Sequence, residues 1–235
     1  MLILSVDSSS KCATCALVDD NGIVSEYTLN NMREHSVLMM PMIERILEDS
    51  NKTIDDIDGF VVSKGPGSFT GLRIGMATIK GLSFGSNKPY ISISSLDGLA
   101  LSVGSFDGII CPIMDALRDT VYTSFYKFNN GKLQKLLDYT SLSLEELKEE
   151  LNSRNEKVIF IGDGVFKHKT FLEENISNAV FASNSVNVVR ASTIGELGLE
   201  LLKKDIHDDE NSAPLYLKQP QAVRELNQRL QMNGQ

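Results

Sequence analysis

No stretch of this chain gathers lysine and arginine into a basic patch, and that lack excludes a whole class of functions. Its 235 residues carry 23 Lys and Arg against 31 Asp and Glu, a formal net charge of −8. A protein that grips a phosphate backbone by itself shows a basic face, so direct tight nucleic-acid binding is not expected. Cysteine is sparse as well, and the odd count of three fits a reducing cytoplasm. Cys12-Ala-Thr-Cys15 has the C-x-x-C form but lies in alternating strand sequence, where residues three apart face opposite sides. Neither redox nor metal chemistry is expected of it. The three histidines, His35, His168 and His207, are too far apart in sequence to make a metal motif. H-E-x-x-H and G-x-S-x-G are both missing, which removes the zinc-protease and serine-elbow readings. The opening apolar run, Leu2 to Val6, is short and has no basic residue before it. It reads as neither export signal nor membrane span, so a cytoplasmic protein is expected.

Glycine, by contrast, is concentrated where it matters. Gly59-Phe-Val-Val-Ser63 reads as a buried strand, and Gly65-Pro66-Gly67 turns it sharply into a helix over about 71–85. Ser68 or Thr70 can cap that helix. Gly71, Gly75, Ala77, Thr78, Gly81 and Gly85 gather on one side of it. Each glycine costs a helix about 1 kcal/mol relative to alanine, so a smooth side implies close approach of another backbone. That backbone belongs either to the chain's own sheet or to a partner. The other side carries Arg73, Met76, Lys80 and Phe84.

The chain repeats one plan. A strand ending at Asp7 leads into a hairpin turned at Asp20-Asn21-Gly22, and a strand ending at Asp115 leads into one turned at Asn129-Asn130-Gly131. An amphipathic helix follows each hairpin, near 34–49 and over 143–152, the second with a Ser143/Glu146 capping box. Then come a strand and a Gly-x-Gly turn, the second being Gly162-Asp163-Gly164. Late helices carry the patterns Ser94/Asp97 and Thr193/Glu196. The pattern predicts two similar α/β domains around a cleft, with residues 1–104 in the first, 105–217 in the second and 218–235 as a helical tail. Two acidic strand ends opposed across such a cleft are the layout of the actin, Hsp70 and sugar-kinase superfamily. There, hairpin N–H groups cradle phosphates and the carboxylates hold a hydrated magnesium ion. Asp7, Ser8, Ser9, Asp115, Gly162 and Gly164 mark that position here, as a degenerate nucleotide cleft.

Ile3-Leu-Ser-Val-Asp-Ser-Ser9, Lys64-Gly-Pro-Gly-Ser-Phe-Thr-Gly-Leu-Arg-Ile-Gly75, Asp115-Ala116 with Val121-Tyr122, and Pro214-Leu-Tyr-Leu-Lys218 together resemble the TsaB (YeaZ) family. The family has arginine directly after Asp-Ala, whereas Leu117 stands there and Arg118 follows. The resemblance implies a non-catalytic scaffold that activates TsaD, the subunit that threonylcarbamoylates adenosine 37 of tRNAs reading ANN codons. The ATPase TsaE is implied to join the pair, with ATP or ADP and a metal bound in the complex and none required by this chain alone. A TsaD-like H-x-x-x-H metal motif would fall at Ser95 and Leu99, and leucine cannot ligate a metal.

The helix near 34–49 spreads Leu38, Met39, Met40, Met42, Ile43, Ile46 and Leu47 over about 200° of arc, wider than one core requires. Either it is deep core or it serves a partner as well. On the second reading His35 and these seven residues, with Arg73, Met76 and Lys80, form the partner surface. The resemblance implies that the surface meets TsaD, or a second copy of this chain when TsaD is missing. A further amphipathic helix is expected over 223–232.

Overall fold

The computed structural model describes residues 1–30 and 34–218. The first half supplies strands β1 (Ile3–Asp7), β2 (Ala13–Asp19) and β3 (Gly22–Leu29), helix α1 (His35–Asp49), β4 (Gly59–Gly65), α2 (Phe69–Ser86), β5 (Tyr90–Ser94) and α3 (Ser95–Val103). The second supplies β6 (Ile109–Asp115), β7 (Thr120–Asn129), β8 (Lys132–Ser143), α4 (Leu144–Arg154), β9 (Val158–Ile161), α5 (Gly164–Asn175), β10 (Ala179–Phe181) and α6 (Ala191–Leu202). One sheet runs β3-β2-β1-β4-β5 and the other, in the same sense, β8-β7-β6-β9-β10. β1 lies antiparallel to β2 and parallel to β4, and β6 stands in the same relation to β7 and β9. This is the duplicated α/β fold that the repeat predicts. The short parallel strands β5 and β10 at the sheet edges had no distinct sequence signal.

Helices cover both faces of the first sheet, so its central strands read as nearly unbroken apolar runs. Outside, α1 and α2 lie side by side over Leu4, Val6 and Phe60. Inside, α6 packs across β1, β2, β4 and β5, although it comes from the second half of the chain. Small residues permit that crossing. A Cβ at Gly198 would stand 2.4 Å from Val61 Cγ2, and one at Gly195 2.8 Å from Ser5 Oγ. Ser5 also donates to the Ala191 carbonyl at 2.7 Å. The first half's late helix, α3, contacts α6 and reaches the second sheet, so one core joins Ile3, Val61, Leu99, Met114, Ile161 and Ile194.

Caps follow the sequence at Ser68, Ser94 and Ser143, while the patterns Thr193/Glu196 and Ser94/Asp97 depart from it. Ser68 accepts from Gly71 N, and Ser94 accepts from Leu96 N. Ser143 and Glu146 cap α4 reciprocally. Ser143→Ala should therefore cost about 1 kcal/mol in urea unfolding. Thr193/Glu196 is not a cap, because α6 begins at Ala191 and Thr193 lies inside it. Glu26 of β3 serves instead: it accepts from Ser192 N at 3.0 Å and Ser192 Oγ at 2.7 Å while pairing with Arg190. A distant carboxylate thus satisfies a helix N-terminus that local sequence leaves bare. Nor does Asp97 complete a box with Ser94. It accepts the hydroxyls of Tyr126 at 2.7 Å and Tyr139 at 2.6 Å, fastening α3 to the second sheet.

Among the described residues no helix is long and apolar enough to cross a membrane. The helix expected over 223–232, and the tail beyond residue 218, lie outside the described residues.

Candidate functional site: a strapped cleft and a two-helix face

The two sheets meet at a cleft of roughly 450 Å³, bordered by Ser9, Ser10, Lys11, Ser68, Asp115 and Asp163. Asp7 is sealed beneath it, wholly buried at the end of β1. Its Oδ2 accepts from Ser9 N at 3.3 Å, while its Oδ1 has no partner among the described residues. Burial pushes the carboxyl up to about 6, against the pull of Ser9 and Ser63. Asp115, at the end of β6, has the opposite balance. Burial raises it, but Leu117 N at 3.0 Å and the Lys167 ammonium at 3.1 Å outweigh that and hold it below its ordinary value. Asp163 accepts from Asp115 N at 3.2 Å and is raised by its burial. One sealed carboxyl and one already paired with lysine do not suit a hydrated divalent ion. Among the described residues, no three His, Cys, Asp or Glu are grouped to hold a metal.

The Ser8–Ser9 turn is pressed against the start of α2. Ser8 donates to the Gly71 carbonyl at 2.8 Å, and Ser68 N donates to the Ser9 carbonyl at 2.6 Å. A Cβ at Gly71 would stand 2.0 Å from Ser8 O, and one at Gly67, where φ is +159°, 2.2 Å from Ser9 O. Gly67 and Gly71 thus admit the chain's own loop. The second turn is likewise pressed home, since a Cβ at Gly162 would lie 2.3 Å from Ile113 O and one at Gly164 3.0 Å from it. Both glycines therefore let the turn lie close against β6.

A strap closes the remaining side. Asp208 N donates to Tyr90 O at 2.8 Å, and the Asp208 carboxylate binds Ser92 N at 3.1 Å. Lys80 then donates to the carbonyls of Glu210 at 2.7 Å and Ser212 at 2.5 Å. Leu215 N reaches Lys64 O at 2.7 Å, and Arg73 Nε donates to the Tyr216 hydroxyl at 3.0 Å. The Tyr216 ring centre is 4.7 Å from that of Phe69. Finally Lys218 donates to Ala116 O at 3.1 Å and to Thr120 Oγ1 in the β6–β7 turn.

The outer face differs from its expected composition. Leu38, Met39, Met42, Ile43, Ile46 and Met76 are all buried in the chain's own core, and Leu47 is half-buried. The wide apolar arc of α1 is used up because that helix packs on β2, on β3 and on α2 at once. His35 belongs to the cleft, with Nε2 3.2 Å from Cys12 O. Arg73 and Lys80 hold the strap. Of the expected surface Met40 and Arg73 are exposed, and they are joined by Val37 and by Phe84, which is 90% exposed. Phe84 shares the outward side of α2 with Ala77, Gly81 and Gly85. A Cβ at Gly81 or Gly85 would meet nothing within 4 Å. The glycines of α2 therefore divide, the first admitting this chain's backbone and the last two facing outward.

Comparison with known proteins decides the lineage. A family model described as "TsaD: tRNA N6-adenosine threonylcarbamoyltransferase" matches residues 22–226. The tRNA threonylcarbamoyladenosine biosynthesis protein TsaB of Bacillus subtilis (strain 168) is 33% identical over 223 residues, covering 94% of this chain and 96% of that protein. The chain belongs to the TsaB (YeaZ) family. TsaB of Haemophilus influenzae is 25% identical over 228 residues, covering 93% of this chain and 94% of its own length. The structure of YeaZ from Pseudomonas aeruginosa superposes with a TM-score of 0.77 at 20% identity, covering 92% of this chain and 99% of that one.

The TsaB motifs now have places in the fold. Pro214-Leu-Tyr-Leu-Lys218 is the end of the strap. At the TsaD-like metal positions, Ser95 Oγ lies 2.6 Å from Ser63 Oγ and Leu99 is in the core. Leu117, where the TsaB pattern has arginine, starts a run of left-handed residues with φ of 63°, 53° and 52° at Leu117, Arg118 and Asp119. The thiol of Cys12 is pushed by burial up to about 11 and that of Cys15 to about 12, so neither is a ready nucleophile. Sequence reasoning missed Lys11, Asp163 and Lys167, which reach the cleft only through folding.

Proposed function

We propose that this chain is the non-catalytic subunit of a tRNA threonylcarbamoyl transferase, binding and activating the TsaD subunit through the outward sides of α1 and α2. The observation that carries the reading is Phe84, 90% exposed on a helix whose nearby Gly81 and Gly85 have open space above them. An exposed phenyl ring beside two outward glycines leaves apolar surface and a shallow track with no use inside the chain. It suits another helix approaching closely. A second copy of this chain can occupy the same face when TsaD is missing, and TsaE joins the TsaB–TsaD pair. The acidic balance leaves the grip on tRNA to the other subunits. The sealed Asp7 and lysine-paired Asp115 support a subunit that does no chemistry of its own, with any nucleotide or metal held in the complex.

The test is threonylcarbamoylation of tRNA with TsaD and TsaE, with and without this chain. Loss of product on omission supports the reading; undiminished product overturns it. Gly81→Ala gives a finer check, because the two functions of that glycine oppose each other. Helix propensity predicts a gain of up to about 1 kcal/mol in stability. The added methyl should at the same time weaken TsaD binding by roughly tenfold if the helices approach closely. Thermal unfolding and calorimetric titration read the two effects separately.

A further inference from the structure

The turn between β6 and β7 holds three consecutive non-glycine residues in the left-handed region, with φ of 63°, 53° and 52°. L-residues avoid that region, and a run of them persists only where surrounding contacts over-determine it. Besides the backbone bonds of Ala116 N to Thr120 O at 3.0 Å, Thr120 N to Leu117 O at 3.3 Å and Leu144 N to Asp119 O at 3.1 Å, and that of Leu117 N to Asp115 Oδ1, two side chains do so here. The Thr120 hydroxyl donates to Leu117 O at 2.6 Å, and Lys218 binds both Ala116 O and Thr120 Oγ1. Lys218 comes from the far end of the strap, whose preceding residues are fixed to the other half of the molecule. Tyr216 rests on Phe69 and accepts from Arg73, and the Arg73 guanidinium stacks 3.8 Å over the Phe69 ring. Two residues of chain span at most about 7 Å. Movement of Tyr216 away from α2 must therefore pull on Lys218.

We propose that residues 208–218 form a clasp coupling the surface of α2 to the turn at the cleft. While Tyr216 is seated against Phe69 and Arg73, Lys218 stays in the turn and the left-handed run is held. When Arg73 or Tyr216 is drawn off, Lys218 withdraws and the turn relaxes. Because Leu215, Tyr216, Lys218, Ala116 and Leu117 all border the cleft, its shape changes with them. A partner that engages Arg73 would then reshape a cleft it does not touch. That consequence rests on the partner reading above, whereas the clasp does not.

Hydrogen exchange on the full chain, read in peptides spanning 116–121, tests the coupling in the absence of any partner. Lys218→Met should raise exchange there by about tenfold. Arg73→Gln and Tyr216→Ala should raise it comparably although neither residue touches the turn, while β1 and β4 remain protected. Turn exchange unchanged in Lys218→Met overturns the latch. A rise in Lys218→Met with wild-type exchange in Arg73→Gln overturns the coupling. Should Tyr216→Ala fail to fold, Arg73→Gln, at an exposed position, decides the matter alone. The chain is measured alone, so a failed partner reading leaves these results interpretable.

Discussion

Phe84→Asp should leave the chain folded and reduce capture of the TsaD subunit by about a hundredfold, the scale of an aromatic hot spot replaced by a charge. The side chain is 90% exposed, so its removal takes almost nothing from the core, and unfolding in urea should stay within about 0.5 kcal/mol of wild type. Binding is another matter. An aspartate carboxylate on the outward side of α2 would have to be desolvated without a partner when a second helix covers it. The control is Met39→Asp on the neighbouring helix. Met39 is 1% exposed within the first sheet's outer core, so a charge there should unfold the chain rather than merely release the partner. Wild-type affinity in folded Phe84→Asp would remove the face from the interface. Co-purification and calorimetry measure the first effect, and circular dichroism the control.

Asp7→Asn should make the protein more stable at neutral pH by about 1–3 kcal/mol, counting about 1.4 kcal/mol per unit of displaced pKa. The sign follows from the direction of the shift. Burial lifts the folded carboxyl to about 6, from an ordinary value of 3.8 in the unfolded chain. Below about 4 both states hold the proton and the residue costs nothing. As pH rises towards 6 the unfolded chain releases its proton first, so stability falls; above 6 the full cost remains. Asparagine keeps the shape without the charge, and the neighbouring Ser9 hydroxyl, without a partner among the described residues, can accept its amide hydrogen. The variant's advantage in urea unfolding should be largest near pH 7.5, shrink to less than half near pH 4.5 and vanish below pH 4. An advantage independent of pH would show that burial does not raise the carboxyl above its ordinary value.

The site was less legible than the fold, and particular residues show why. Local chemistry announced the hairpins at Gly22 and Gly131, the reciprocal cap at Ser143, and the strand-to-helix turn at Gly65. It also announced the glycines of α2, but could not say which backbone they admit. Gly71 and Gly75 face Ser8, whereas Gly81 and Gly85 face open space. Period alone places all four on one side of a helix, because it carries no information about where the covering loop ends. The methionine-rich arc of α1 was ambiguous for the same reason. Its width is real, but two strands and a helix consume it. Arg73 and Lys80 looked like surface charges until the strap, more than 120 residues away, came to lie on them.

By itself the sequence determined the duplicated strand-and-hairpin plan, the family, and the lack of metal ligands at Ser95 and Leu99, since these rest on local periodicity, turn chemistry and residue type. The tertiary structure alone decided that α6 crosses to the first sheet, that Glu26 caps it, that Asp7 is sealed while Asp115 is paired, and that Phe84 rather than Met39 faces outward. Each of those depends on contacts between residues distant in the chain, and burial is a property of what arrives from elsewhere, not of the segment that is covered.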